Sequence, residues 1–128
     1  MMAMMAAACA TAERYYVPTT EEARITLDEM REHTDAILHV ECPRLLRGRT
    51  MVYGEAELTL DIDSAGDVRR ASLAHGSPSQ RIDDVLGALA ARLHLPRLGG
   101  AGASATLVAG WACAPMAETT TLRLGRAG

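Results

Sequence analysis

The sequence predicts an α+β fold: a small antiparallel three-stranded sheet, made of a β-hairpin, a helix and a further strand, packed against one amphipathic helix, with an additional N-terminal helical segment. Three observations predict it. Residues 55–63 alternate strictly between polar and apolar side chains, Asp63 to Asp67 forms a short polar turn containing a glycine, and apolar residues from Ile82 to Leu93 recur at helical spacing before Pro96. At 128 residues the chain has the length of one domain with a modest core.

Met1 to Ala12 is apolar and small, with Ala8-Cys9-Ala10 and Ala10-Thr11-Ala12 as small-residue cleavage patterns and no basic residue before them. Residues 1–18 therefore read as an export-signal remnant or a disordered, alanine-rich tail. The apolar stretch is too short to cross a bilayer, which takes about twenty residues. Cys9 follows three alanines, as in the small-residue box before a lipid-modified cysteine, and is the candidate lipidation site, although the usual leucine three positions upstream is missing.

Residues 19–41 form a helical or irregular segment. Thr19 and Glu22 have capping-box spacing for a helix running to about His33. Ile25 and Leu27 alternate as a strand does, whereas Ile25, Met30, Ile37 and Leu38 suggest a helical stripe, so a break is expected between His33 and Asp35. Pro43 then opens a short segment that ends at Gly48.

Within residues 42–117 the pattern sharpens. Ala56, Leu58, Leu60 and Ile62 share one face of a strand, with Glu55, Glu57, Thr59, Asp61 and Asp63 on the other. Gly66 tolerates positive φ in the turn. The return strand, about Val68 to His75, spaces Val68, Ala71 and Leu73 unevenly, which calls for a bulge near Arg69 and Arg70. Ser77 or Ser79 offers an N-cap oxygen, and Ile82, Val85, Leu86, Leu89 and Leu93 make the stripe that roofs the hairpin. Ala105 to Cys113 reads as the third strand, with Trp111 as an edge or core plug. Residues 118–128 read as a tail or a short edge strand, with weak alternation from Thr119 to Leu124.

Charge and composition narrow the function. All thirteen basic residues are arginine, and Lys, Asn and Phe are absent, as codon usage in a GC-rich genome produces. With a formal charge of −3 and scattered arginines there is no basic stripe for phosphates, so nucleic acid is not expected as a partner. His33, His39, His75 and His94 lie far apart, and none has the helical zinc-hydrolase spacing. Asp61 to Gly66 mimics the start of a calcium loop, but Ala65 and Ser72 stand where ligands belong. Ser77 and Ser79 fit capping better than nucleophilic catalysis. No catalytic residue, metal site or cofactor is expected. Cys42 and Cys113 remain as an even pair once Cys9 is set aside. They read either as a disulfide closing a loop of about seventy residues and contributing roughly 4 kcal/mol, or as two buried thiols.

The order Pro43, Gly54-Glu-Ala-Glu-Leu-Thr-Leu-Asp-Ile-Asp-Ser-Ala-Gly66-Asp-Val68, Ile82-Asp83, an apolar helix and Pro96 resembles the C-terminal domain of the TonB energy-transducer family. The likeness covers about Cys42 to Pro115. Cys42 stands where the family has Tyr, and His75-Gly76-Ser77 replaces its serine-rich strand end. The resemblance implies a periplasmic or cell-envelope module that binds an extended peptide of a partner by β-strand addition. That partner would be a TonB-dependent outer-membrane receptor or another envelope protein.

The strand used would be Ala105 to Cys113, with Thr106, Leu107, Val108, Ala109, Gly110 and Trp111 as the partner-binding edge. Neither a spanning helix nor a Pro-rich spacer is present in this stretch, so full energy transduction is not expected of it. Membrane contact would come only through a lipid anchor or a preceding segment, and the edge leaves room for a homodimer. The alternative is a small secreted or lipid-anchored structural protein of an envelope assembly, without peptide exchange.

Overall fold

The hairpin forms where the alternation puts it and extends further than the pattern alone defines. A computed structural model describes residues 14–100 and 102–126; Met1 to Ala12, read as an export-signal remnant or a tail, and Cys9 within it lie outside them. The strands are β1 (Tyr15–Tyr16), β2 (Val52–Ile62), β3 (Val68–His75), β4 (Ala103–Ala114) and β5 (Ala117–Arg126). The helices are α1 (Leu27–Leu45) and α2 (Gln80–Ala90), with a single 3-10 turn at Pro96–Leu98. One antiparallel sheet runs in the order β1-β3-β2-β4-β5.

The turn between β2 and β3 is fixed by Asp63, whose carboxylate accepts from the backbone N–H of Ala65 and of Asp67, each at 2.9 Å. Gly66 sits at φ 91°, where its missing Cβ matters twice over, because a Cβ there would lie 2.6 Å from the backbone of Pro96. Ile62 pairs with Val68 while Asp61 pairs with Arg70, so Arg69 is the extra residue of a bulge at the expected place. That bulge sets Ala71 and Leu73 opposite Leu60 and Leu58 on the inner face, and a second shift, between Glu57 and Leu58, leaves Ala74 unpaired before His75.

Helix α2 begins at the Ser79 cap, whose hydroxyl accepts from Ile82 N–H at 3.2 Å. Its buried side packs against β3, β2 and β1. The core joins Met30 and Leu38 of α1, Ile82 and Leu86 of α2, and Leu58, Leu60 and Leu107 of the sheet, all fully buried. These apolar side chains lie on one side of the sheet; the other side carries polar residues such as Glu55, Thr59, Asp61 and Thr106.

The expectation of a three-stranded sheet on one helix is corrected: the described residues form five strands over two helices. β5 exists because Pro115 and Met116 make a two-residue connection, with Ala114 paired to Ala117 and Met116 at φ 67°. Proline followed by a left-handed residue is the geometry of a type II turn. β1 is two residues long, too short for alternation to reveal.

Helix α1 also corrects the segment boundaries. Its capping box is Thr26 with Glu29, not Thr19 with Glu22: Thr26 Oγ1 accepts from Glu29 N–H and Glu29 Oε1 accepts from Thr26 N–H, both at 3.1 Å. Thr19 makes only a turn, accepting from Glu22 N–H at 3.2 Å. Ile25 is held extended beside Leu93 by bonds from Ile25 N–H to Arg92 O and from His94 N–H to Ile25 O. The helix then runs without a break through His33 to Asp35 and takes Pro43 into its last turns, crossing the boundary placed between residues 41 and 42. Its buried positions are Met30, Thr34, Leu38 and Cys42, one per four residues. Buried Thr34 is satisfied by donating to Met30 O at 2.8 Å.

Cys42 and Cys113 are joined as a disulfide between α1 and β4, with the two Cα atoms 5.4 Å apart. Both are buried.

Two capping carboxylates give the fold an acid limit. The Thr26 N–H holds the Glu29 carboxyl below its ordinary value, and the Asp67 N–H, then Ala65 N–H, do the same for Asp63. A lowered folded-state value means that the stabilisation is complete above the unfolded value, about 4, and is lost as pH falls through the folded one. Tyr16 has the opposite sign: burial, then the Asp84 carboxylate beside its hydroxyl, raises it. Its contribution is complete below about pH 10 and lost above it. Melting temperature is therefore expected to fall both below about pH 4 and above about pH 10. Asp63→Asn should flatten the acid limb, and an unchanged acid limb in that variant would refute the assignment.

Candidate protein-binding edge

A site for strand addition needs a strand with one side unpaired. The expected one does not qualify. Thr106 lies between Thr59 and Gly125, Leu107 between Leu58 and Leu124, Val108 between Glu57 and Arg123, and Ala109 between Ala56 and Leu122. Gly110 lies between Glu55 and Thr121, and Trp111 between Gly54 and Thr120. The residues expected at a partner-binding edge are thus interior to the sheet, sealed by the chain's own last strand. Leu107, Ala109 and Trp111 point into the core, and Thr106, Val108 and Gly110 point to the polar side.

The β3 side is covered in pieces. Val68 N–H donates to Leu93 O at 3.0 Å, β1 pairs with Ala71 and Ser72, and Leu73 N–H donates to Arg14 O at 3.3 Å. β1 is held there by its side chains. The Tyr16 hydroxyl donates to Asp84 at 3.0 Å, Arg14 pairs with the same carboxylate at 2.8 Å, and the Tyr16 ring lies where a Cβ on Gly87 would stand 2.4 Å away. The Arg70 guanidinium sits 5.2 Å above the Tyr15 ring.

β5 remains. It pairs with β4 over its whole length, and among the described residues no strand pairs with its other side. Its inner face carries Glu118, Thr120, Leu122 and Leu124, and its outer face carries Thr119, Thr121 and Arg123. Helix α1 holds the inner face: the Thr120 hydroxyl donates to Asp35, and His39 lies 3.4 Å from Glu118. On the outer face Arg123 reaches across β4 to Glu55 at 3.1 Å. Beneath that pair, Gly110 floors a shallow depression of about 430 Å³ rimmed by Tyr53, Thr119 and Thr121. β5 is a threonine-rich strand without proline, and Glu118 and Arg123 are among its charges. The sequence signal was the weak alternation from Thr119 to Leu124.

The other candidate residues are dispersed. Ser79 caps α2, and the Ser77 hydroxyl donates to the buried Asp83 carboxylate at 2.6 Å. His75 faces Glu57 at 3.7 Å and His94 faces Asp67 at 2.7 Å, on different parts of the molecule. Cys42 is consumed by its disulfide, so His39-Val-Glu-Cys42 offers no thiolate ligand. Among the described residues no group of three or more His, Cys, Asp or Glu is placed to hold a metal ion, and no helix is long and apolar enough to cross a membrane. No family model, curated protein or solved structure matches the chain.

Proposed function

We propose that this chain is a protein-binding module of the cell envelope that takes up an extended segment of a partner protein as a further strand on the outer side of β5. The observation that carries the reading is the unpaired side of a ten-residue strand whose register and twist are already set by β4. Backbone hydrogen bonds supply the affinity and alternate side chains choose the partner. The TonB-like order of residues 42–115 supports an envelope partner such as an outer-membrane receptor. The buried disulfide supports an oxidising compartment, the periplasm among them.

A photo-crosslinking residue at Thr121 tests the reading in envelope extract, because Thr121 lies midway along β5 and points away from the helices. We expect one dominant adduct, with the attachment mapping to an extended stretch of an envelope protein, and loss of that adduct when the same crosslinker is placed at Glu57 in the middle of the sheet. Equal labelling from both positions, or none from Thr121, would overturn it.

A further inference from the structure

The helix side of β5 ends at a groove. Leu124 lines it together with Leu27 of α1 and Leu95, Pro96 and Leu98 of the segment after α2, and Asp28, His94 and Arg97 also border its open space of about 730 Å³. Leu124 is the sheet's contribution to that groove, and it belongs to the strand whose outer side is unpaired. Unpaired N–H and C=O groups along β5 fix the kind of occupant as an extended main chain. The groove and the side chains beside it fix its sequence.

We infer that the partner segment runs antiparallel to β5 and is read by an apolar anchor at its N-terminal end, opposite Leu124, and a basic residue six positions later, opposite Glu118. This rests on the strand-addition reading above. Antiparallel pairing is the pattern of every strand pair in the sheet and the more stable of the two. Directly opposed residues share a face, with Cβ atoms about 5 Å apart.

A side chain opposite Leu124 therefore projects to the helix side, and an apolar one there covers what remains exposed of the partly buried Leu124. The residue two positions on faces Leu122 and is apolar for the same reason. The residue six positions on faces Glu118, whose carboxylate has only His39 beside it among the ion pairs of the described residues. On the outer face, the residue after the anchor faces Arg123, and an acidic one there shares the guanidinium with Glu55, which pairs with it at 3.1 Å. Cross-strand complementarity thus specifies the order Leu-Glu-Val-Thr-Thr-Thr-Arg, with threonines opposite Thr119, Thr120 and Thr121.

The acetylated, amidated peptide of that sequence is titrated into the ¹⁵N-labelled chain, beside one carrying aspartate in place of its leucine and one with the order reversed. The expected result is amide shifts concentrated in residues 117–126, with affinity weaker by about tenfold or more for the aspartate and reversed peptides. Leu98→Asp changes no residue of β5, and an unchanged β5 amide spectrum of the free variant shows that the strand is kept. The variant should weaken the leucine peptide by about tenfold and bring it level with the aspartate peptide.

Shifts in β5 that are equal for all three peptides would remove the groove and the register while leaving strand addition standing. No β5 shifts with any peptide would remove both. Shifts in β5 that grow with protein concentration alone would assign the edge to a second copy and overturn the proposal.

Discussion

Replacing both Cys42 and Cys113 by alanine is expected to cost about 4 kcal/mol of stability, because the bridge closes a loop across a sequence separation of 71 residues. In the chain-entropy account the bridge acts on the unfolded ensemble, and a loop of this length lies toward the upper end of what one crosslink contributes. Its position adds to the effect. Helix α1 offers the core one buried residue per four, and Cys42 is the last of them, so the bridge fixes the end of a helix with a thin apolar stripe.

Urea denaturation of the native and double-alanine chains measures the difference directly. The expected loss corresponds to roughly 15 °C in melting temperature for a chain of this size. Both sulfurs belong to buried residues, so dithiothreitol should act slowly on the folded protein and quickly once urea has opened it. A double variant with an unchanged urea midpoint would refute the account.

The second large effect lies at Trp111. Its side chain is 3% exposed and fills the space left by Gly54, where a Cβ would come within 3.0 Å of the indole and 2.7 Å of Pro78. Trp111→Ala removes the largest side chain from the inner face of β4 and is expected to cost about 3–5 kcal/mol. Trp111→Phe should behave differently. The indole Nε1 is buried, and among the described residues nothing accepts its hydrogen bond.

Deleting a buried, unsatisfied donor recovers part of the desolvation cost, about 1–3 kcal/mol, that the native side chain bears. The phenylalanine variant is therefore expected within about 1 kcal/mol of the native chain, despite its smaller ring. Chemical denaturation of the pair decides it. A phenylalanine variant as unstable as the alanine one would show that the indole nitrogen is satisfied in solution.

The central block was legible because each of its elements carries a complete local signal. Residues 55–63 alternate without a slip, Asp63 and Gly66 make the turn, Ser79 caps α2, and the bulge at Arg69 follows from the spacing of Val68 and Ala71. The ends of the chain carry weaker or competing signals. Two boxes of the same form, Thr19 with Glu22 and Thr26 with Glu29, lie seven residues apart, and tertiary pairing of Ile25 with Leu93 selects the second. Thr34 interrupts the apolar stripe of α1 in sequence, yet it is buried because its hydroxyl is satisfied within the helix.

The last hairpin was hidden because its turn is Pro115-Met116, with no glycine at the left-handed position. That one turn also moved the candidate site. A strand read as the border became interior once the chain turned back alongside it, and the border passed to residues whose alternation was faint.

The order of the strands places the first described strand and the last one at opposite rims of the sheet. Four strand-to-strand steps separate them, about 19 Å at the usual spacing. The described chain therefore begins at the rim farthest from β5. A tether attached at Arg14 sits at the rim opposite β5, the strand proposed to take up a partner, whereas one attached at Arg126 sits on β5 itself.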